Sequence, residues 1–199
     1  MRQLRFHEFP AEDEPPLQLS LDSVISLHAI VMEGLLDKPG KLRSTFVAAA
    51  QTDVMYLPPQ LVRAHLVDLL EFTAGRLAAC STMSDRMLLA AFFFSEFLKI
   101  HPFVNGNGRV ARLLASALLR GAAVVPFTPA GAGAADRERY MQAIRESQWL
   151  SNHTPLIELF ISAGAAAAGH ASWLVKLPEA AESSVLPPAA LGAPPLLDD

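Results

Sequence analysis

Residues 85–100, DRMLLAAFFFSEFLKI, are apolar nearly all round a helical circumference. A helix without a broad polar face has to be covered on several sides, so this segment fixes the architecture, with the other elements packing around it. Ser84 is the expected N-cap. A bilayer span is excluded, because the uninterrupted apolar run 87–94 falls short of the about 20 residues required and is closed by Glu96 and Lys99.

The flanking sequence supplies the covering helices. Residues 21–36 place Val24, Leu27, His28, Val31, Met32 and Leu35 at helical spacing, and Lys38-Pro39-Gly40 ends that helix. Helical periodicity then fails over 40–59. There, 45–50 and 54–57 flank Gln51-Thr52-Asp53 and predict a short β-hairpin with a polar tip. Pro58-Pro59 opens a helix to about residue 79, with Leu61, Ala64, His65, Val67, Leu69 and Leu70 as its apolar side. Further helices are predicted over 108–120, 136–148 and 154–168, the last begun by Thr154 as N-cap and Pro155 as first helical residue. The fold class is all-α, a bundle of about six helices with one small hairpin.

With 199 residues, 51% of them hydrophobic, the chain can bury one core and not two large ones. The expected division is an acidic, proline-rich tail over 1–20, one domain over 21–170 and a disordered tail over 171–199. A single cysteine, Cys80, supports neither a disulfide framework nor a thiolate zinc site. A net charge of −4 without a basic face argues against nucleic acid as a partner. Neither a signal-peptide core nor a membrane segment is visible. The expected location is cytoplasmic, although an effector delivered without a cleaved signal would leave the same trace.

The chemistry is concentrated in His101-Pro102-Phe103-Val104-Asn105-Gly106-Asn107-Gly108-Arg109-Val110-Ala111-Arg112. Two glycines around an asparagine allow a tight turn into a helix whose first amide N–H groups lack helical acceptors, which makes an anion site. Arg109 and Arg112, three residues apart on one face, can both reach a polyphosphate. His101 ends the buried helix and can act as a base toward an attacking hydroxyl. Each feature alone is common in ordinary packing or turns; their conjunction within twelve residues points to attack on phosphorus.

This stretch resembles the Fic family signature, His-x-Phe-x-Asp/Glu-Gly-Asn-Gly-Arg-x-x-Arg, at every defined position except the acidic one. Leu27-His28, Met32-Glu33-Gly34-Leu35, Pro39-Gly40-Lys41-Leu42-Arg43, Leu57-Pro58-Pro59, Pro126-Phe127 and Asp136-Arg137-Glu138-x-Tyr140 are also similar to family positions, covering about residues 24–163. The resemblance implies a protein adenylyltransferase that uses ATP and Mg²⁺. It makes His101 the base and Gly106, Asn107 and Gly108 the anion hole, and it places the β- and γ-phosphates on Arg109 and Arg112. Tyr140 falls near the nucleotide base. The hairpin 45–57 becomes a flap on which a target protein docks as an extended segment.

Asn105 departs from the family, whose Asp or Glu holds Mg²⁺ at this place, and a neutral amide is a weaker ligand for a hard cation. Three outcomes follow: a slower AMP transferase, a Fic enzyme transferring a different phosphate-containing group, or an inactive binding module. Death-on-curing proteins tolerate Asn there but carry Lys where this chain has Gly108, which argues against the kinase outcome. Glu33-Gly34 resembles part of the family's inhibitory motif, Ser/Thr-x-x-x-Glu-Gly/Asn, but Ala29 stands four residues earlier. Inhibition in cis is therefore not expected, leaving a separate inhibitory protein or none.

Overall fold

A computed structural model describes residues 17–48, 56–119 and 134–175, and in the last stretch the side chains of 135–166. Among the described residues there are six helices: α1 Leu21–Val31, α2 Pro59–Ala79, α3 Met83–Ile100, α4 Asn107–Leu118, α5 Ala134–Leu150 and α6 Thr154–Val175. Of the expected tails 1–20 and 171–199, residues 1–16 and 176–199 lie outside the described residues, as do the hairpin tip 49–55 and Pro126-Phe127, while α6 runs to Val175, into the segment expected to be disordered.

As its sequence demands, α3 is the centre, packed against α2, α4, α5 and α6, while α1 covers α4 and α2. Phe93, Phe94 and Phe97 are fully buried, and Phe94 meets Phe160 of α6 edge-on at 5.4 Å. Burial of each such ring contributes about 1.5–3 kcal/mol. The N-cap of α3 is Thr82 and not Ser84: the Thr82 side chain accepts from the Asp85 N–H at 3.1 Å while Asp85 accepts from the Thr82 N–H at 3.0 Å.

Two other expectations are corrected. Helix α1 stops at Val31, because the chain turns through Gly34 at φ +72°, and Leu35 is left exposed. Its start is a reciprocal cap between Ser20 and Ser23. In α2 the buried face is Val62, Leu66, Leu69, Leu70 and Thr73; Leu61, Ala64 and His65 face outward. The hairpin is represented by its two feet, joined by the Tyr56 N–H donating to the Val47 carbonyl at 3.2 Å.

Candidate active site

Helix α3 ends at His101, which takes a left-handed conformation at φ 51° and ψ 63°. A non-glycine residue there is strained, and such strain persists only where surrounding bonds hold it. The His101 N–H donates to the Phe97 carbonyl at 3.0 Å, and the His101 carbonyl accepts from Arg43 Nε at 2.6 Å. The ring is nearly buried and stacks on Tyr56, with centroids 3.8 Å apart and planes 13° from parallel. Its Nδ1 lies 3.3 Å from the Leu98 carbonyl, which can only accept. A proton on Nδ1 would donate to that carbonyl and leave Nε2 as the basic nitrogen.

The loop from His101 to α4 is braced from within. Phe103 is buried; its N–H donates to Asn107 Oδ1, and Asn107 Nδ2 donates back to the Phe103 carbonyl, both at 2.9 Å. The Asn107 side chain therefore shapes the loop, and what it can offer a ligand is its main-chain N–H. Gly106 caps α4 at φ +85°, a conformation that favours glycine, and a Cβ there would sit 2.6 Å from Met32 Sδ, so the Met32 side chain would have to shift. The Val110 N–H donates to the Gly106 carbonyl at 3.1 Å, the first turn of α4, so the amides of Asn107, Gly108 and Arg109 precede it at the positive end of the helix.

Arg109 and Arg112 are half-buried, and among the described residues neither is paired with a carboxylate. Arg109 Nη1 lies 3.0 Å from Met32 Sδ, a weak acceptor that orients the guanidinium and leaves its charge uncompensated. Asn105 Oδ1 accepts from the Gly106 N–H at 2.5 Å, so one expected contributor to the anion hole is directed at the expected metal ligand.

Sequence reasoning overlooked four residues. His28 is buried under the loop: its Nδ1 accepts from the Gly40 N–H at 2.8 Å, its Nε2–H therefore donates to the Asn105 carbonyl at 3.0 Å, and its ring stacks on Phe103 at 3.7 Å. Desolvation holds the His28 pKa below its ordinary value, opposed by the bond to Asn105. Arg43, Tyr56 and Met32 complete the surroundings. A histidine at an apolar position of α1 was the available signal for the first; the others carried none beyond the turn and the helix they belong to. Tyr140, by contrast, is buried in α5 with its ring 6.2 Å from that of Phe94, where it serves the core.

The sequence profile of the Fic/DOC family matches residues 18–119. The chain belongs to the Fic/DOC family. A Fido domain-containing protein of Dictyostelium discoideum is 29% identical over 115 residues, 57% of this chain and 75% of that protein. Protein adenylyltransferase fic-1 of Caenorhabditis briggsae is 30% identical over 105 residues, 51% of this chain but 19% of the enzyme. The chain thus spans about a fifth of that adenylyltransferase. The solved BepC protein of Bartonella tribocorum with bound AMPPNP superposes with a TM-score of 0.59 at 17% identity, over 76% of this chain and 77% of that one, which makes the Fic fold common to both.

No helix among the described residues is long and apolar enough to cross a membrane. An apolar cavity of about 430 Å³ between α2 and α3, lined by Phe72, Leu88, Phe92 and His153 among others, shares no residue with the loop.

Proposed function

We propose that this Fic protein transfers AMP from ATP to a hydroxyl side chain of another protein. One observation carries the reading: the His101 ring is held at the start of the same short loop that opens the N-terminus of α4, whose Arg109 and Arg112 pair with no carboxylate among the described residues. ATP would place its phosphates against the amides of Asn107 and Gly108, with Arg109 and Arg112 on the β- and γ-phosphates. The target hydroxyl oxygen attacks the α-phosphorus, its proton passes to His101 Nε2, and the bond to the β-phosphate oxygen breaks to release pyrophosphate. The AMPPNP bound to BepC and the adenylyltransferase name of the C. briggsae relative support this choice of donor and group.

Among the described residues no three His, Cys, Asp or Glu side chains are grouped to hold a metal, and Asn105 offers one neutral oxygen, which also accepts from the Gly106 N–H. Any Mg²⁺ would arrive with the nucleotide. Tyr140, packed in the core, would touch the base at most through its phenol end. An extended target segment would seat by strand addition on the hairpin whose feet are 45–48 and 56–57.

Asn105 itself favours a second reading, a Fic-fold binding module with weak or no transfer. ATP labelled at the α- or the γ-phosphate, incubated with the protein and a lysate, separates the cases. AMP transfer leaves the α-label and not the γ-label on protein, phosphoryl transfer does the reverse, and a binding module leaves neither.

A further inference from the structure

We propose that Arg43 is a positioning residue that sets the distance between the flap and the catalytic base, by binding the feet of the hairpin and the C-terminus of α3 in one guanidinium. The proposal rests on the AMP-transfer reading for its functional consequence. Its structural content stands on Arg43 alone.

Arg43 is 4% exposed, and among the described residues no carboxylate pairs with it. Its bonds go to main-chain carbonyls from two places. On the flap side Nη1 donates to Thr45 at 3.0 Å and Nη2 donates to Leu57, one residue from each foot of the hairpin. On the helix side Nη2 donates to Ile100 at 3.2 Å and Nε to His101 at 2.6 Å. The Arg43 main-chain N–H adds a bond to the Pro102 carbonyl at 2.9 Å.

A guanidinium is planar and rigid, so groups bound to its different edges hold a fixed separation, which the single ammonium of lysine cannot enforce. Ile100 and His101 carry the last carbonyls of α3, at the negative end of the helix dipole, which offsets the buried charge without a counter-ion. The Nε bond falls on the carbonyl of the one strained residue in the site, His101. Tyr56, next to Leu57 in the second foot, lies flat on the His101 ring. A foot that moved would therefore carry the base with it. A target segment paired with the flap delivers its hydroxyl at a distance from His101 Nε2 that Arg43 determines, and misplacement by about 1 Å at such a step costs on the order of 10²-fold in rate.

The test is Arg43→Lys, read first by hydrogen exchange in the full chain. The Tyr56 amide, bonded to Val47 in the flap, and the His101 amide, bonded to Phe97 in α3, should both exchange about tenfold faster or more, with the amides of α2 and α4 unchanged. Acceleration at only one of the two, at neither, or evenly throughout the bundle overturns the proposal. In transfer assays the same variant should keep its ATP affinity within about threefold while kcat/KM for the protein target falls about 10²-fold; a parallel loss of ATP affinity also overturns it. Should the unsubstituted protein transfer nothing, the AMP-transfer reading fails while the exchange experiment still decides the coupling. If Arg43→Lys does not fold, NMR of the unsubstituted guanidinium decides. Separate, slowly exchanging Hε and Hη signals, with Hε shifting in Tyr56→Leu, support the bridge, and a freely rotating guanidinium refutes it.

Discussion

Replacing His28 by leucine should cost far more than a change of one buried side chain for another of similar size. The substitution strands the Gly40 N–H and the Asn105 carbonyl, which His28 now joins at 2.8 and 3.0 Å, and removes a ring stacked on Phe103 at 3.7 Å. Each lost bond contributes about 0.5–1.5 kcal/mol, more if its partner stays dry, and the stacked pair about 0.5–1.5 kcal/mol. Leucine recovers some apolar burial, so the expected net loss is about 2–4 kcal/mol. Urea unfolding at pH 7.5 measures it, with an unchanged m-value showing that the unfolded state is the same.

Acid sharpens the test. Burial lowers the His28 pKa in the folded protein, so below its ordinary 6.5 the unfolded chain binds a proton that the folded one refuses. Stability from this group is complete above 6.5 and is lost as pH falls from there toward the folded value. The penalty of His28→Leu should therefore shrink on going from pH 7.5 to 5, while His153, lowered by burial in the same direction, keeps its own slope in both proteins. A loss under about 1 kcal/mol, or a penalty that does not change with pH, would refute the account of His28 as a neutral brace.

Gly106→Ala should cost about 1–3 kcal/mol and lower ATP affinity, because the new Cβ meets Met32 Sδ and the φ of +85° disfavours alanine; calorimetric titration with unchanged affinity would contradict this. Asn105→Asp should raise transfer and move the Mg²⁺ dependence to lower concentration, and equal midpoints in a Mg²⁺ titration of both proteins would remove position 105 from the metal. Thr82→Ala should lower stability by about 1 kcal/mol without touching ATP affinity, since its bonds are confined to the start of α3; a loss of affinity would show that the far end of that helix reaches the site.

What the sequence disclosed was local. Pro58-Pro59 marked the start of α2, and the unbroken apolar character of 85–100 marked α3 as the centre, because both signals lie within one element. The same holds for the loop, whose base, glycines and arginines are neighbours in the chain. Errors arose where two local readings competed. The spacing of Leu35 extended α1 past Gly34, whose left-handed conformation ends the turn, and Leu61 and His65 mimicked an apolar face that belongs one residue later to Val62 and Leu66. At α3 the Thr82 and Asp85 pair, three residues apart, was a readable capping box passed over for Ser84. Arg43 and His28 were present in the quoted stretches, but their contacts lie 58 and 77 residues away, and no periodicity encodes a partner at that distance.

The central claim, that His101 is the base of a transfer and the loop beyond it the phosphate site, is tested most directly by comparing the unsubstituted protein with His101→Ala after incubation with ATP, Mg²⁺ and a target or the protein itself. Intact-mass spectrometry reads the group added, and calorimetry reads ATP affinity. The account predicts addition of one AMP mass by the unsubstituted protein, a rate lower by ~10²–10⁴ in His101→Ala, and ATP affinity preserved within a few-fold. Equal rates in the two proteins, or an ATP affinity that collapses with the histidine, would contradict it.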